Sequence, residues 1–193
     1  MKEKLFEQAI EAFDKENALD PNRVVVNGTE KARELAYSEW LTSWILKLNP
    51  NASLELRLAA RCQHLKRWQI PRSEYPEGLK GYTKWKKDLA EFHATEASKI
   101  LKDLGFDSIT IERVRDINLK KNLKTDSEVQ AMEDALCLVT LEYQIEEFSA
   151  KHTDEKIIDI IRKTWNKMSE DAKKEALKLK YSNKVLSLIQ KAI

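Results

Sequence analysis

Apolar side chains recur every three or four residues along much of the chain, which is the spacing of one face of an α-helix. Over residues 2–15, the positions Leu5, Phe6, Ile10 and Phe13 form such a face. The pattern predicts an amphipathic helix at the start of the chain, with its apolar side turned toward other elements.

Side chains that can cap a helix precede several other periodic stretches. Thr29, Ser53 and Thr83 are predicted to cap helices that run to about residues 48, 69 and 103. Thr125, with Glu128 three residues later, is a capping-box signature for a helix over about 126–149. The remaining helical stretches are about 109–120, 154–167 and 169–181, followed by a weakly helical tail at 183–192. Thr153 is predicted to begin the helix at 154–167, and Ser169 is predicted to cap the next one.

Two stretches do not follow the helical pattern. Residues 23–26 read as extended and end at Asn27-Gly28. Residues 70–83 form the longest irregular segment and contain two of the four prolines and two of the four glycines. Because this segment contains and is flanked by aromatic side chains, we expect an ordered, packed loop, and loops of this length are usually functional.

The predicted fold class is all-α, as a single domain over residues 1–193. We expect a bundle of about seven to eight helices with one long ordered loop at 70–83 and a peripheral helix within 1–20. The helix at 126–149 is apolar on most faces of its middle, so it is predicted to be the central buried helix. Only 4 glycines and 4 prolines occur, which disfavours a β fold with many turns.

Composition adds little about partners. The net charge is +2, so any attraction for anions has to be local. The sequence contains no run of 18 apolar residues and no signal-peptide pattern, so we expect a cytoplasmic protein without a membrane partner. Cys62 and Cys137 lie in apolar helical stretches and are predicted to be reduced packing residues.

Two of the three histidines, His64 and His93, lie in helical stretches, and Glu133-Asp134 lies in another. Imidazole and carboxylate groups on apolar helices suggest one shared polar pocket, and together they can bind a divalent transition metal. Glu34 is a further candidate ligand. The alternative is that an imidazole–carboxylate hydrogen bond only holds helices together.

A second group of residues is basic and aromatic. Arg67 and Arg72 flank a turn at 68–71 that follows directly after His64, and Trp68, Tyr75 and Tyr82 are interleaved with them. Guanidinium groups beside aromatic planes suit a phosphate attached to a base. The alternative is an ordinary solvated loop face.

Several established catalytic motifs are absent from the sequence. It contains no Gly-rich phosphate loop, no GxSxG nucleophile turn, no CxxC pair and no HExxH. Hydrolase chemistry of the Ser-His-Asp type therefore has no local support.

Three long strings resemble a family known only as domain-of-unknown-function family 4202. They are RCQHLKRWQIPRSEYPEGLKGYTKWKKDLAEFHA, KTDSEVQAMEDALCLVTLE and KTWNKMSEDAKKEAL. The resemblance covers roughly residues 20–190. Some family members carry a glutamyl-tRNA synthetase label, which the helical pattern does not support because it offers no nucleotide-binding sheet.

A more distant resemblance is to the HD superfamily of metal-dependent phosphohydrolases. Residues 59–64 are similar to the helix that ends in the His-Asp pair of that family. Gln63 stands in the position of that histidine and His64 in the position of that aspartate. Residues 93–105 and 128–135 are similar to the later helices that carry a histidine and the last metal-binding aspartate. The resemblance implies an HD-like bundle with a modified site.

Three functions follow from these observations. The first is metal-dependent hydrolysis of a nucleotide or another phosphate ester. A bound Mn, Fe, Zn or Mg ion held by His64, His93 and Asp134, with Glu34 or Glu133, would activate water. The phosphate and the rest of the substrate would be held by Gln63, Arg67, Trp68, Arg72, Tyr75, Tyr82 and Lys121.

The second function is recognition of a phosphate-bearing small molecule or nucleic acid without turnover, on a degenerate HD-like scaffold. Gln63 and His64 favour this function, because they replace the His-Asp pair of the HD superfamily. The third is a structural role in which the histidines only connect helices. The sequence leaves all three open.

Overall fold

The computed structural model describes residues 2–193, and it divides after Asn122 into two compact units. Compact units of this kind occur within one domain as well as in two, so the single-domain organisation over 1–193 stays a prediction. Each unit has its own buried apolar side chains.

The first unit contains a β-hairpin and five helices. The strands are β1 (Arg23–Val26) and β2 (Thr29–Ala32). The helices are α1 (Lys2–Asn17), α2 (Arg33–Leu48), α3 (Leu54–Cys62), α4 (Gly78–Leu104) and α5 (Ser108–Asn118).

The hairpin corrects the prediction that Thr29 caps a helix. β1 and β2 are antiparallel, with Val26 opposite Thr29. Asn27 has φ 50° and Gly28 has φ 79°, and two residues with positive φ form the tight turn that best joins antiparallel strands. The backbone after Gly28 therefore pairs with β1, and α2 begins only at Arg33.

The helix capped by Ser53 ends earlier than predicted. The Ser53 hydroxyl accepts a hydrogen bond from the Leu56 N–H, as expected of an N-cap. The helix stops at Cys62 rather than at residue 69, because Lys66 has φ 57°, in the left-handed region. A 3₁₀ turn at Arg67–Gln69 follows.

The irregular segment is shorter than predicted, because α4 begins at Gly78. Thr83 lies inside α4 and is not its cap. Residues 70–77 remain irregular apart from a 3₁₀ turn at Arg72–Glu74. Gly81 fits closely under this segment, since a Cβ added to it would lie 1.8 Å from the Pro76 carbonyl oxygen.

Helix α3 lies at the centre of the first unit and contacts all four of its other helices. Its Ala59 and Ala60 are fully buried, and such small side chains allow helices to approach closely. Helix α1 packs on α3 and α4, and its Phe13 is fully buried. Cys62 and Cys137 are buried, as predicted, and form no disulfide within the part of the chain that the structure describes.

The second unit consists of helices alone in the described chain. They are α6 (Ser127–Val139), a π-helical turn (Thr140–Gln144), α7 (Ile145–Lys151), α8 (Asp154–Trp165), α9 (Glu170–Ala176) and α10 (Asn183–Ala192). The caps predicted at Thr153 and Ser169 are confirmed, because each hydroxyl accepts a backbone N–H three residues on.

Apolar side chains from α7, α8 and α10 form one cluster in the second unit, centred on Ile145, Ile161 and Ile189. Helix α6 instead packs on α9. Residues 127–151 are helical throughout, as predicted for 126–149, but the π-helical turn divides them into α6 and α7.

The all-α class is confirmed, with the small hairpin as its only sheet among the described residues. The described chain has ten α-helices rather than seven to eight, partly because the predicted 126–149 helix is split. None of the helices described combines the length and apolar character needed to cross a membrane.

Candidate functional site

A cavity of about 400 Å³ opens on the first unit where α2, the turn after α3 and the start of α4 meet. Three arginines, one acidic residue and several apolar side chains surround it. We call it the guanidinium pocket, and its lining residues are Pro21, Asn22, Arg33, Glu34, Arg67, Trp68, Ile70, Pro71, Arg72 and Trp85.

Asp20 connects the two chain segments on one side of the guanidinium pocket. It is fully buried, and its Oδ1 accepts hydrogen bonds from the Asn22 N–H and side-chain amide at 2.9 and 2.8 Å. Its Oδ2 accepts from the Glu34 N–H at 3.0 Å. One carboxylate thus ties the segment before β1 to the first turn of α2, which carries Arg33 and Glu34.

Arg67 follows Lys66, whose left-handed backbone conformation sets the direction of the chain at Arg67. Lys66 keeps its left-handed conformation while its Nζ binds Glu16 at 3.2 Å and Glu96 at 3.1 Å. The Arg67 guanidinium then lies over the Trp85 ring, 4.9 Å from the ring centroid. A non-glycine residue with positive φ is strained, and the surrounding structure has to stabilise it.

Hydrogen bonds hold the segment that carries Arg72 against α4. The Trp85 indole N–H donates to the Ile70 carbonyl at 2.9 Å. The Arg72 guanidinium donates to the Tyr75 carbonyl at 2.8 Å, and the Tyr75 hydroxyl donates to Asp88 at 3.1 Å. Since a guanidinium has five N–H donors, Arg72 keeps donors for a ligand.

Glu34 is the only acidic residue that lines the guanidinium pocket. It is 7% exposed, and burial raises the pKa of its carboxyl to about 7, although Arg67 opposes this shift. The Arg67 Nε lies 3.7 Å from Oε1, which is too long for a hydrogen bond. At neutral pH the Glu34 carboxyl is therefore present in both its neutral and its ionised form.

His64 and His93 lie behind Glu34. The His64 Nδ1 is 3.3 Å from the Glu34 Oε2, and the Tyr37 ring stacks on the His64 ring with centroids 4.1 Å apart. The His64 and His93 ring centroids are 5.7 Å apart. Burial, together with Arg67, holds the pKa of His64 well below its usual range, so its contact with Glu34 is not an ion pair at neutral pH.

The tautomer of His93 follows from one contact. Its Nδ1 is 2.6 Å from the Leu65 carbonyl oxygen, which can only accept, so Nδ1 carries the proton and donates. Nε2 is then an acceptor, buried without a hydrogen-bond partner. Burial lowers the pKa of His93 to about 3, so this imidazole is neutral in the folded protein.

The structure does not support the predicted metal site at His64, His93, Asp134 and Glu34. In the described part of the chain, no group of three or more His, Cys, Asp and Glu side chains is arranged to hold a metal ion. His93 uses Nδ1 on Leu65, and Asp134 is occupied by contacts of its own.

Asp134 and Glu133 belong to the second unit. Asp134 accepts hydrogen bonds from the Ser169 N–H at 2.8 Å, the Ser169 hydroxyl at 2.6 Å and the Gln130 amide at 3.0 Å. Glu133 is buried, and its Oε1 lies 3.4 Å from the Lys167 Nζ. These contacts connect α6 to the start of α9.

The predicted substrate residues divide into two groups. Arg67, Trp68 and Arg72 line the guanidinium pocket, and four others do not. Gln63 is buried at the end of α3, Tyr75 bonds to Asp88, Tyr82 is exposed on α4, and Lys121 forms an ion pair with Asp116 at 2.6 Å.

Ten residues line the guanidinium pocket; sequence reasoning selected four of them and missed six, among them Arg33 and Trp85. Arg33 precedes Glu34, so the choice of Glu34 as a candidate could have drawn attention to it. In the sequence, Trp85 is only one of the aromatic side chains that flank the predicted 70–83 loop. Neither local pattern shows that the start of α2 and the start of α4 face the same cavity.

Acid should destabilise the protein through His93. Its pKa is lower in the folded than in the unfolded state, so its stabilising effect is complete above pH 6.5 and is lost as the pH falls toward 3. Each pH unit below 6.5 costs about 1.4 kcal/mol for such a group. We expect His93→Gln to have a shallower fall in melting temperature between pH 7 and pH 5, measured by circular dichroism.

The exposed His152 provides the control. His152→Gln should keep the pH dependence of the unmodified protein. An unchanged slope in His93→Gln would show that His93 is not held neutral in the folded state.

Comparison with known proteins gives a family and nothing more. Neither the curated proteins nor the solved structures contain a match to this chain. The family model described as Domain of unknown function (DUF4202) matches residues 7–189, which is nearly the whole chain. The chain therefore belongs to the DUF4202 family.

Proposed function

We propose that the protein binds a phosphate-bearing small molecule in the guanidinium pocket. The observation that carries this proposal is the set of three arginine residues, Arg33, Arg67 and Arg72, that line one cavity. Guanidinium is the side-chain group best matched to phosphate, because it offers paired donors in a fixed plane. The one acidic group in the lining is partly neutral at pH 7.

The other walls of the guanidinium pocket favour an organic phosphate over the inorganic ion. Trp68, Ile70 and Pro71 provide apolar surface beside the arginines. A volume of about 400 Å³ lies within the range of sites for small organic ligands. A nucleotide combines a phosphate with a flat ring and fits both properties.

Removing two of the arginines should abolish most of the binding. Arg67→Gln and Arg72→Gln are each expected to weaken the affinity for a nucleoside monophosphate about tenfold, and the double variant about a hundredfold. Hydrogen bonds to charged groups are lost, while the side-chain volume is largely kept. Isothermal titration calorimetry at one fixed salt concentration measures the change.

Arg115→Gln is the matched control, because Arg115 lies on α5 and pairs with Glu91 outside the guanidinium pocket. It should bind as the unmodified protein does. If the double variant binds as tightly as this control, phosphate is not held by Arg67 and Arg72. Competition by a single-stranded RNA with a terminal phosphate would identify the ligand as a nucleic-acid end.

Hydrolysis of the bound phosphate ester is a second candidate, and it is the activity that the HD resemblance implies. One observation favours it: the pKa of Glu34, at the wall of the pocket, is about 7, which suits proton transfer near neutral pH. An HD-like scaffold would be consistent with this activity. Release of inorganic phosphate from nucleotides and phenyl phosphate, with and without manganese, distinguishes turnover from binding alone.

A further inference from the structure

An exposed aromatic surface continues from the guanidinium pocket along α4. Trp85 lines the pocket, and the centroids of the Trp85 and Tyr82 rings are 5.8 Å apart. Tyr82 is 45% exposed, and Leu79, one turn earlier, is 80% exposed. The Lys86 Nζ lies 5.7 Å from the centroid of the Tyr82 ring. An aromatic ring and a cation thus lie together directly outside the pocket.

The charges on this part of α4 are mainly positive. Lys80, Lys86 and Lys87 are exposed within its first three turns. The only acidic residues in its first four turns are Asp88 and Glu91, and each forms an ion pair with a basic residue of the protein. A negatively charged partner that approaches this end of α4 therefore meets a net positive charge.

The irregular segment before α4 leaves Tyr82 uncovered. This segment packs on Gly81 and bonds to Asp88. Gly81 and Asp88 are seven residues apart, so they share one stripe of α4, about 100° around the helix from Tyr82. Glu74 and Glu77, the acidic residues of the segment, belong to a stretch of chain that follows this other stripe. The Tyr82 ring stays accessible to a flat partner.

Positive charge also continues from the guanidinium pocket toward Tyr82. Burial is the main cause of the low pKa of His64, and the nearby charges of Arg67, Lys120 and Lys86 lower this pKa further. These three cations come from the turn after α3, the end of α5 and α4. Arg67 lines the pocket, and Lys86 lies over the Tyr82 ring.

Single-stranded nucleic acid has the chemistry that this surface fits. It repeats an ionised phosphate, which lysines attract, and a flat base, which stacks on an exposed aromatic ring. The bases of a duplex are already stacked on one another, so they do not offer a face to Tyr82. A cavity of about 400 Å³ has the size of a site for one small ligand, so further nucleotides of a strand have to lie outside it.

We propose that Tyr82, Lys86 and Lys87 bind the next two or three nucleotides of a single strand whose terminal phosphate lies in the guanidinium pocket. Residues 79–87 span about 12 Å along α4, which covers about three stacked nucleotides. This inference rests on the proposed binding of phosphate and adds the class of ligand, the phosphorylated end of RNA or DNA.

Five ligands test the surface on the unmodified full-length chain. They are adenosine monophosphate, tetra-adenylate with a 5′ phosphate, with a 3′ phosphate and with no terminal phosphate, and a phosphorylated hairpin duplex. Calorimetric titration at one fixed salt concentration measures each affinity. We expect one of the end-phosphorylated strands to bind about tenfold more tightly than adenosine monophosphate, the unphosphorylated strand and the duplex.

The pattern of affinities identifies the strand. The tighter of the 5′ and 3′ forms assigns the end, and the deoxy versions separate DNA from RNA. If neither form binds more tightly than adenosine monophosphate, or if the unphosphorylated strand or the duplex binds as tightly as they do, the inference is overturned. Tetraglutamate that displaces the strand at the same concentration would show that the surface selects charge alone, and would also overturn it.

Tyr82→Ala tests the aromatic ring. The variant is expected to bind the end-phosphorylated strand about tenfold more weakly and adenosine monophosphate unchanged, because Tyr82 is not among the residues that line the pocket. Tyr82→Phe keeps the ring and should bind both ligands as the unmodified protein does. Equal weakening of both ligands by Tyr82→Ala contradicts the inference, since Tyr82 would then hold the first base.

The lysines are tested by the salt dependence of binding. The double variant Lys86→Gln/Lys87→Gln should lower the slope of log affinity against log salt concentration by about one for the strand. Lys99→Gln, on the same helix and paired with Glu96, is the control and should keep the slope. An unchanged slope in the double variant shows that these lysines do not contact phosphates.

Failure of the inference and failure of the proposed function are distinguishable. If adenosine monophosphate binds and the strands gain nothing, the inference fails and the proposed phosphate binding stands. If none of the five ligands binds, the proposed function fails and the inference fails with it. A thermal melt verifies the fold of each variant, and the five ligands on the unmodified protein decide even without them.

Discussion

Replacing Gly81 by alanine should strongly weaken ligand binding and lower the free energy of unfolding by about 2 kcal/mol. The added Cβ would lie 1.8 Å from the Pro76 carbonyl oxygen, a contact with backbone that no side-chain rotation can relieve. Residues 70–77 would have to move, and they carry Pro71 and Arg72. The better helix propensity of alanine returns only about 1 kcal/mol.

Thr83→Ala is the matched control, because Thr83 is exposed two residues further along α4. It should leave both quantities unchanged. Calorimetric titration with adenosine monophosphate and urea unfolding followed by circular dichroism measure them. If Gly81→Ala binds adenosine monophosphate with unchanged affinity, residues 70–77 do not need their described position over α4 to form the guanidinium pocket.

The second large effect is expected at Asp134. Asp134→Ala removes an acceptor that serves the Ser169 N–H, the Ser169 hydroxyl and the Gln130 amide. Losing charged hydrogen bonds in a buried site should lower the free energy of unfolding by about 3 kcal/mol. Ligand affinity should not change under conditions where the variant is folded, because Asp134 is not among the residues that line the guanidinium pocket.

Two further variants sharpen this prediction. Asp134→Asn keeps one acceptor oxygen and should lose less stability than Asp134→Ala. Asp159→Ala, at an exposed position on α8, is the control and should change stability little. A folded Asp134→Ala protein that no longer binds the ligand would support the original interpretation of Asp134 as a site residue.

Local signals predicted much of the fold. The caps at Ser53, Thr153 and Ser169 act as predicted, and Gly105 ends α4 with φ 89°. These features depend on neighbouring residues, so a single sequence is enough to recognise them. The all-α class followed from the helical spacing of apolar residues and the low glycine and proline content.

The errors have local causes that the periodic pattern hid. Asn27-Gly28 is a strong hairpin signal, but the polar sequence of β2, Thr-Glu-Lys-Ala, does not look like a strand. Lys66 adopts a left-handed conformation that lysine rarely has, and its two ion pairs come from residues distant in sequence. The left-handed conformation of Lys66 cannot be predicted from residue propensities.

Only the part of the candidate site whose residues are neighbours in sequence could be predicted. Arg67, Trp68 and Arg72 are neighbours in sequence, so their grouping was visible. Glu34 is predicted as a metal ligand, and the structure places it in the wall of the guanidinium pocket, beside Arg67 and His64. The association of His64 with Asp134 had no basis in local spacing, and Asp134 has its own partners around Ser169.

The π-helical turn at Thr140–Gln144 explains why residues 126–149 look apolar on most faces. One additional residue in a helical turn advances all later side chains by about 100°. The apolar stripe of α6 faces α9, while the stripe of α7 faces α8 and α10. The apolar side chains of α6 and of α7 therefore lie on different faces. When one helical period is fitted to the whole of residues 126–149, most faces appear apolar. Relatives that lack the additional residue are expected to keep one phase throughout, and an alignment with them should place a one-residue gap in this turn.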